Sequence, residues 1–427
     1  MRGRGLGAVA MRVFLSAGEP SGDHHAALLV RALRSRRPDV ECVGLGGPQM
    51  EAEGCRLVAD LTRLAVMWFL RVILSIHSFV DLARRAERSF LDARPDVCVL
   101  VDFPGFHWWL AWRAKRHGIP VVFYCPPQIW AWASWRKEKM RRLIDHVLAP
   151  LPFEQEWFSA QGIPTTLVGH PFFDELAAVP QQREAAGPCR DTAPLVLLLP
   201  GSRGQEIDAN LPTLLRAATL VREKDASARF VVAVLHDRHA DTVRRMMAAE
   251  GTTGIDVVAG RARSLMREAS AAMAVSGSVS LELLAARLPA VIVYRIGALP
   301  WVVQSWFRHA RFITLVNLLS VADPILPVRG ALRPPQGVPP ADPEAVYPEY
   351  LSVDDPSSAM AGHVVEWLAD AGARKRVVDR LDRIAARVAR PGSAERAAAA
   401  VLAVARGDDP TTAVAFAGAS AARAHAA

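Results

Sequence analysis

Short apolar runs recur along this chain, each closed by glycine or proline and followed by a stretch of helical character. In the first half these runs are VFLSAG, CVGLGG, CVLVDFPG and VVFYCPP, with DHHAALLVRALRSR, DLARRAERSFLDARP and WWLAWRAKRHG among the helical segments. The shorter runs in DHVLAPLP and TTLVGHP keep the same rhythm. An apolar run without alternation reads as a strand buried on both faces, and helices between such strands imply parallel pairing. The expected class is therefore α/β, a doubly wound domain.

The rhythm restarts near residue 190. PLVLLLPGSRG, RFVVAVLHD, IDVVAG, AAMAVSG and AVIVYRI form a second series, with LPTLLRAATLVREK and SLELLAARLP as helices. Two Rossmann-like domains are predicted, at residues 11–178 and 190–355, joined by the polar, proline-bearing LAAVPQQREAAGPCRDTAP. Residues 322–349 hold eight prolines, which rules out a long helix or a central strand and reads as a surface insertion. Helices are expected over 356–406, and an Ala-rich, frayed tail over 407–427.

Composition narrows the partners. With 51% hydrophobic residues the chain has ample core, and its formal charge of +8 suits an anionic partner as well as it suits an Arg-rich background. The five cysteines, Cys42, Cys55, Cys98, Cys125 and Cys189, form no CxxC pair and are expected to be reduced. No HExxH, Walker A loop or metal-ligand cluster occurs, so no metal and no cofactor is expected. The apolar stretch after the first arginines runs directly into a strand, which argues against a signal peptide and makes Met11 an alternative start. Leu64–Val80 is the most hydrophobic segment, but Arg71 and His77 interrupt it. It is too short to span a bilayer and fits either a core helix or one lying in a membrane interface.

Ligands of open α/β sheets bind beyond the carboxyl ends of the strands, so strand-to-helix turns carry the information. SAGEPSGD places Gly18 and Gly22 for close backbone approach, Ser21 and Asp23 as helix caps, and leaves Glu19 unexplained by a turn alone. It lacks the GxGxxG spacing, which argues against a nicotinamide cofactor. VDFPGFHWW puts Asp102 at the end of an apolar strand, where a carboxylate can accept a proton or merely form the turn. In IWAWASWRKEKMRR, Trp130, Trp132 and Trp135 precede Arg136, Lys137, Lys139, Arg141 and Arg142. That pattern suits single-stranded nucleic acid, a glycolipid phosphate, or a solvated basic helix over buried rings. PGSRG offers Gly201, Ser202 and Gly204 backbone N–H groups and the Arg203 fork at a helix start, a phosphate-binding combination. SGSVSLE repeats that logic with Ser278, and Glu282 one turn in can accept both hydroxyls of a ribose.

Taken in order, SAGEPSGD, GGPQMEAEGC, VDFPGF, PQIWAW, LPFE, GHPFFDE, LLPGSRGQEI and SGSVSLELL resemble the lipid-A-disaccharide synthase family, over roughly residues 11–320 and more weakly to about 405. The resemblance implies the two-domain GT-B glycosyltransferase architecture. It also implies a reaction that joins UDP-2,3-diacylglucosamine to 2,3-diacylglucosamine 1-phosphate (lipid X), giving a β-1,6 disaccharide and UDP for lipid A and lipopolysaccharide synthesis. On that reading Asp102 is the general base. Gly201, Ser202, Arg203, Gly204, Ser278 and Glu282 hold UDP. Glu19, Ser21, Asp23, Asn317 and Glu349 line the acceptor side and cleft. Gly105 and His107 stand where many relatives carry aspartate and asparagine. Acyl-chain substrates further imply a cytoplasmic protein on the anionic inner face of the membrane, using Leu64–Val80 flanked by Arg84, Arg85 and Arg88. A homodimer with exchanged C-terminal elements, or a tail folded back on the N-terminal domain, both fit residues 356–406; nucleic acid is not an expected partner. The competing readings are another UDP-sugar enzyme, such as one with a different glycolipid acceptor or an epimerase, and a non-catalytic UDP-binding module.

Overall fold

The computed structural model describes residues 10–62, 76–178, 193–326 and 337–424, the side chains of 76–79, 177–178 and 418–424 excepted. Most of Leu64–Val80, most of the linker with Cys189, and residues 327–336 of the proline-rich stretch lie outside the described residues. The chain forms two compact units, Met1–Pro180 with Arg390–Ala427, and Gln181–Ala389.

The first unit begins with β1 (Arg12–Ala17), α1 (Pro20–Arg36), β2 (Glu41–Gly46), α2 (Pro48–Ala52), β3 (Arg56–Asp60) and α3 (Ile76–Asp92). It continues through β4 (Val97–Val101), α4 (Pro104–Arg116), β5 (Val121–Tyr124), α5 (Ile129–Trp132) and α6 (Lys137–Leu143). β6 (His146–Ala149), α7 (Pro152–Ala160), β7 (Thr165–Leu167) and α8 (Phe172–Ala178) follow. The strands pair in parallel in the order β3-β2-β1-β4-β5-β6-β7. The order reverses at β1 and β4, whose last residues Ala17 and Val101 are register partners. The two turns that follow, with Glu19 and Asp102, therefore open side by side at the switch point.

The second unit holds β8 (Leu195–Leu199), α9 (Gly204–Lys224), β9 (Arg229–Val234), α10 (Asp237–Ala249), β10 (Ile255–Ala259) and α11 (Ala262–Glu268). Then come β11 (Ala271–Val275), α12 (Val279–Ala286), β12 (Ala290–Arg295), α13 (Ala298–Ser305) and α14 (Leu315–Ser320). β13 (Glu349–Ser352), α15 (Ser357–Ala369) and α16 (Ala371–Val388) complete it. The parallel order is β10-β9-β8-β11-β12-β13, with the reversal at β8 and β11, so PGSRG and SGSVSLE leave neighbouring strands. β13 closes the proline-rich stretch as an edge strand, a sheet position where proline is tolerated.

The last two helices, α17 (Ser393–Arg406) and α18 (Pro410–Ala424), return to the first unit. Ala397, Val401 and Leu402 of α17 and Val414 of α18 join the core of β1, β4 and α1. Asp174 fixes the entry to α17 by accepting the backbone N–H groups of Gly392, Ser393 and Ala394 at 2.6, 3.0 and 2.8 Å. The GHPFFDE motif is thus an anchor for the C-terminal helices. This corrects the expected frayed tail: Pro410–Ala424 is helical, with Val414 and Ala417 buried. The carboxyl-terminal helices also divide, α15 and α16 going to the second unit and α17 and α18 to the first.

Candidate active site

Asp102, directly after β4, lies in the left-handed region with φ 51°, and Phe103 follows at φ 48°. Left-handed backbone in non-glycine residues costs about 1–3 kcal/mol each and persists only where the surroundings enforce it. Three contacts do so here. His107, fully buried in α4, donates Nδ1–H to the Asp102 carbonyl at 2.6 Å. The Asp102 N–H points to the Tyr124 carbonyl at 3.4 Å. The Phe103 ring fills the space above Gly18, where a Cβ would lie 2.2 Å from Phe103 Cγ.

Burial pushes the Asp102 carboxyl up to about 6, and the nearby Glu19 carboxylate adds to the rise. It is mostly ionised at neutral pH yet more basic than an ordinary aspartate, which suits a general base. Burial holds His107 down to about 4, so its ring is neutral at pH 7. A carbonyl only accepts, so the single ring proton sits on Nδ1, and Nε2 accepts from Ser16 Oγ at 2.9 Å. Cys125, at φ 48° after β5, is the next turn of the sheet; its thiol is raised by burial and by Asp102 and Glu154.

The other residues of SAGEPSGD divide. Glu19 and Ser21 are exposed at the start of α1. Asp23 is buried and turns away to α2, accepting from the N–H groups of Gly47, Gln49 and Met50 at 2.8, 3.0 and 3.2 Å. It caps α2 rather than its own helix. The tryptophans divide as well. Trp130 is buried and donates Nε1–H to Glu154 at 3.0 Å, and burial raises Glu154 to about 8. Trp132 and Trp135 are exposed, with the Arg136 guanidinium over the Trp132 ring at 5.2 Å.

In the second unit Gly201 has φ 118°, and a Cβ there would lie 2.7 Å from Glu206 Cβ. The Arg203 side chain is 81% exposed. Glu206, in the first turn of α9, accepts from the N–H groups of Ser202 and Arg203 at 3.0 and 3.3 Å and from the Arg203 guanidinium at 3.3 Å. A carboxylate thus occupies the donors that a phosphate would use. Ser278 is exposed before α12, and Glu282 pairs with Arg263 at 3.1 Å. Sequence reasoning missed Glu206 and Glu154. Glu206 lies three residues after Arg203, the capping-box spacing, which was the available signal.

Asn317 and Glu349 are brought together but face inward. Asn317 Nδ2 donates to the Tyr347 carbonyl and to Glu349 at 2.9 and 3.2 Å, while its Oδ1 accepts from the N–H groups of Val346 and Tyr347. Glu349 accepts the N–H groups of Ile313 and Thr314 at 2.7 and 3.0 Å, and its carboxyl is raised by burial. The pair braces the segment before α14, and Ser276 Oγ bonds the Ile313 carbonyl of that segment at 3.1 Å. Among the described residues, no three His, Cys, Asp or Glu side chains group as metal ligands, and no helix is long and apolar enough to cross a membrane.

Two Rossmann-like units with turns of this kind define the GT-B class, the architecture of sugar-nucleotide glycosyltransferases and epimerases. A presumed UDP-N-acetylglucosamine 2-epimerase from Listeria monocytogenes has this fold, at a TM-score of 0.58 and 13% identity over 95% of this chain and 99% of that one. That likeness shows the fold alone. The lipid-A-disaccharide synthetase family model matches residues 13–326. Lipid-A-disaccharide synthase 1 of Legionella pneumophila (strain Philadelphia 1) is 35% identical over 73% of this chain and 82% of its own length. Lipid-A-disaccharide synthase of Anaeromyxobacter sp. (strain K) is 32% identical over 92% of this chain and 98% of its own. The chain belongs to the lipid-A-disaccharide synthetase family. It is a glycosyltransferase of lipid A synthesis, joining UDP-2,3-diacylglucosamine to lipid X.

Proposed function

We propose that Asp102 is the general base of this transfer and that the turns of the second unit hold UDP. The observation that carries the reading is the environment of Asp102: a strained, partly buried carboxylate at the switch point, raised to about 6, which no ion pair engages among the described residues. The base takes the proton of the acceptor 6-hydroxyl as that oxygen attacks the sugar C1. The bond from C1 to the diphosphate breaks, its electron pair leaves with UDP, and the configuration inverts. Arg203 and the amino end of α9 supply positive charge for the departing diphosphate. With those donors the step requires neither a metal ion nor a cofactor. Glu206 gives up its backbone donors when the diphosphate arrives, and Glu282 accepts the ribose hydroxyls beside Arg263.

The protein works at an anionic, cytoplasm-facing membrane surface, as its acyl-chain substrates require. Exposed Trp132 and Trp135 beside Arg136, and exposed Arg84, Arg85 and Arg88 on α3, support this reading. Co-sedimentation with vesicles containing anionic lipid, lost on Trp132→Ala with Trp135→Ala, is the expected result. Equal recovery with and without vesicles refutes it.

UDP release from UDP-2,3-diacylglucosamine in the presence of lipid X tests the reaction itself. Release that needs the acceptor, and is lost in Asp102→Asn while UDP still binds, is the expected outcome. Wild-type release from Asp102→Asn removes Asp102 from the mechanism.

A further inference from the structure

His107 is an unusual core residue. It is fully buried, both ring nitrogens are engaged, and each faces a different part of the switch point. Nδ1 holds the carbonyl of Asp102, and Nε2 takes the hydroxyl of Ser16 on β1. Aromatic rings wedge the imidazole, with Phe103 at 5.8 Å and Phe123 at 6.1 Å between centroids. Its orientation is thereby fixed from the sheet side and from the helix side.

The bond it makes is the shortest of the contacts holding the Asp102 backbone. The Asp102 N–H to Tyr124 distance is 3.4 Å, against 2.6 Å for His107 to the Asp102 carbonyl. Asp102 and Phe103 are consecutive left-handed residues, a conformation that relaxes towards negative φ once a restraint is lost. Rotation of that peptide swings the Asp102 Cα–Cβ bond and carries the carboxylate with it. A displacement of about 1 Å at a catalytic group can cost about 100-fold in rate.

We propose that His107 is a positioning residue for the base: its Nδ1–H, with the ring held by Ser16, keeps the Asp102 turn in the left-handed form that aims the carboxylate at the acceptor hydroxyl. This rests on the reading of Asp102 as the base. The function belongs to one N–H at one place, not to the bulk of the ring. Asparagine carries an amide N–H the same number of bonds from Cα as Nδ1. Glutamine carries its amide one bond further out, towards Ser16.

The experiment compares His107→Asn, His107→Gln, His107→Leu and Asp102→Asn in the full chain, measuring kcat, KM for both substrates, UDP affinity and the thermal midpoint. His107→Asn is expected to keep kcat within about threefold. His107→Gln is expected to lose about 10- to 100-fold in kcat with KM for the UDP-sugar and UDP affinity unchanged, and His107→Leu at least as much where it folds. A core-packing role alone predicts no such separation of asparagine from glutamine. Wild-type kcat in His107→Gln beside an inactive Asp102→Asn overturns the positioning role and leaves the base standing. Equal losses in His107→Asn and His107→Gln also overturn it. Wild-type kcat in Asp102→Asn overturns the base assignment, and the role of His107 with it.

Discussion

Replacing Asp102 by asparagine is expected to stabilise the protein while abolishing transfer. The carboxyl stands at about 6 in the fold, against an ordinary value of 3.8, because burial disfavours its charged form and Glu19 lies nearby. A rise of about two units corresponds to about 3 kcal/mol between the ionised and neutral forms. Above pH 6 the group is ionised in both folded and unfolded chains, so the folded state carries the whole cost. Below the ordinary value it is neutral in both, and the cost is gone. Wild-type stability relative to Asp102→Asn should therefore be lowest at pH 7–8, recover as pH falls through 6, and match the variant below about pH 4. Urea unfolding at pH 7.5 and pH 4.5 measures this directly. The first unit of Asp102→Asn should gain up to about 3 kcal/mol at the higher pH and much less at the lower. A variant less stable than wild type at pH 7.5, or a gain independent of pH, refutes the account of Asp102 as a desolvated, strained carboxylate. The same ionisation should appear as an ascending limb near pH 6 in the kcat profile, with rate lost as the pH drops below it.

Arg203→Ala should weaken UDP binding about 10- to 100-fold, since charge-assisted bonds contribute about 1.5–3 kcal/mol. Its exposed side chain predicts a thermal midpoint close to wild type, and an unchanged UDP affinity by calorimetry would remove it from the nucleotide site. Asp23→Ala should cost about 3 kcal/mol or more by leaving the N–H groups of Gly47, Gln49 and Met50 without their acceptor. UDP affinity should survive that change, because the loss falls in the first unit; a neutral effect on unfolding would contradict the brace. Gly18→Ala should lower kcat at least tenfold without changing UDP affinity, because the new methyl group displaces the Phe103 ring and with it the Asp102 turn. Wild-type kcat in that variant would show that the turn tolerates the displacement.

The sheets were largely legible because a fully buried parallel strand needs an uninterrupted apolar run. LVLLL, VCVLV and VVFY have no other economical use. β3 escaped because RLVAD is only half-buried and carries a charge at each end, and β13 because it emerges from prolines at a sheet edge. Among the proposed site residues, Arg203 stands out by position as a turn residue that the turn itself does not require, whereas Asp102 reads equally well as the residue that forms its turn. The inward roles of Asp23, Asn317 and Glu349 could not. A carboxylate or amide facing backbone N–H groups far away in sequence looks the same on the page as one facing a ligand. The division of the tail was hidden for a related reason: an Ala-rich helix becomes core only when a distant carboxylate, Asp174, fixes where it starts.

The return of α17 and α18 has a consequence for the nascent chain. On a ribosome the β1–β7 sheet emerges first, but the helix that seals Ala397 and Val401 over it comes last. Between them lie all the residues of Gln181–Ala389, which take about 10–40 s to make at roughly 5–20 residues per second. For that interval an apolar sheet face waits uncovered, while the later-born unit is contiguous and can close on its own. The second unit can thus complete its core before the first does, and the unfinished first half is the stage most open to chaperones and proteases.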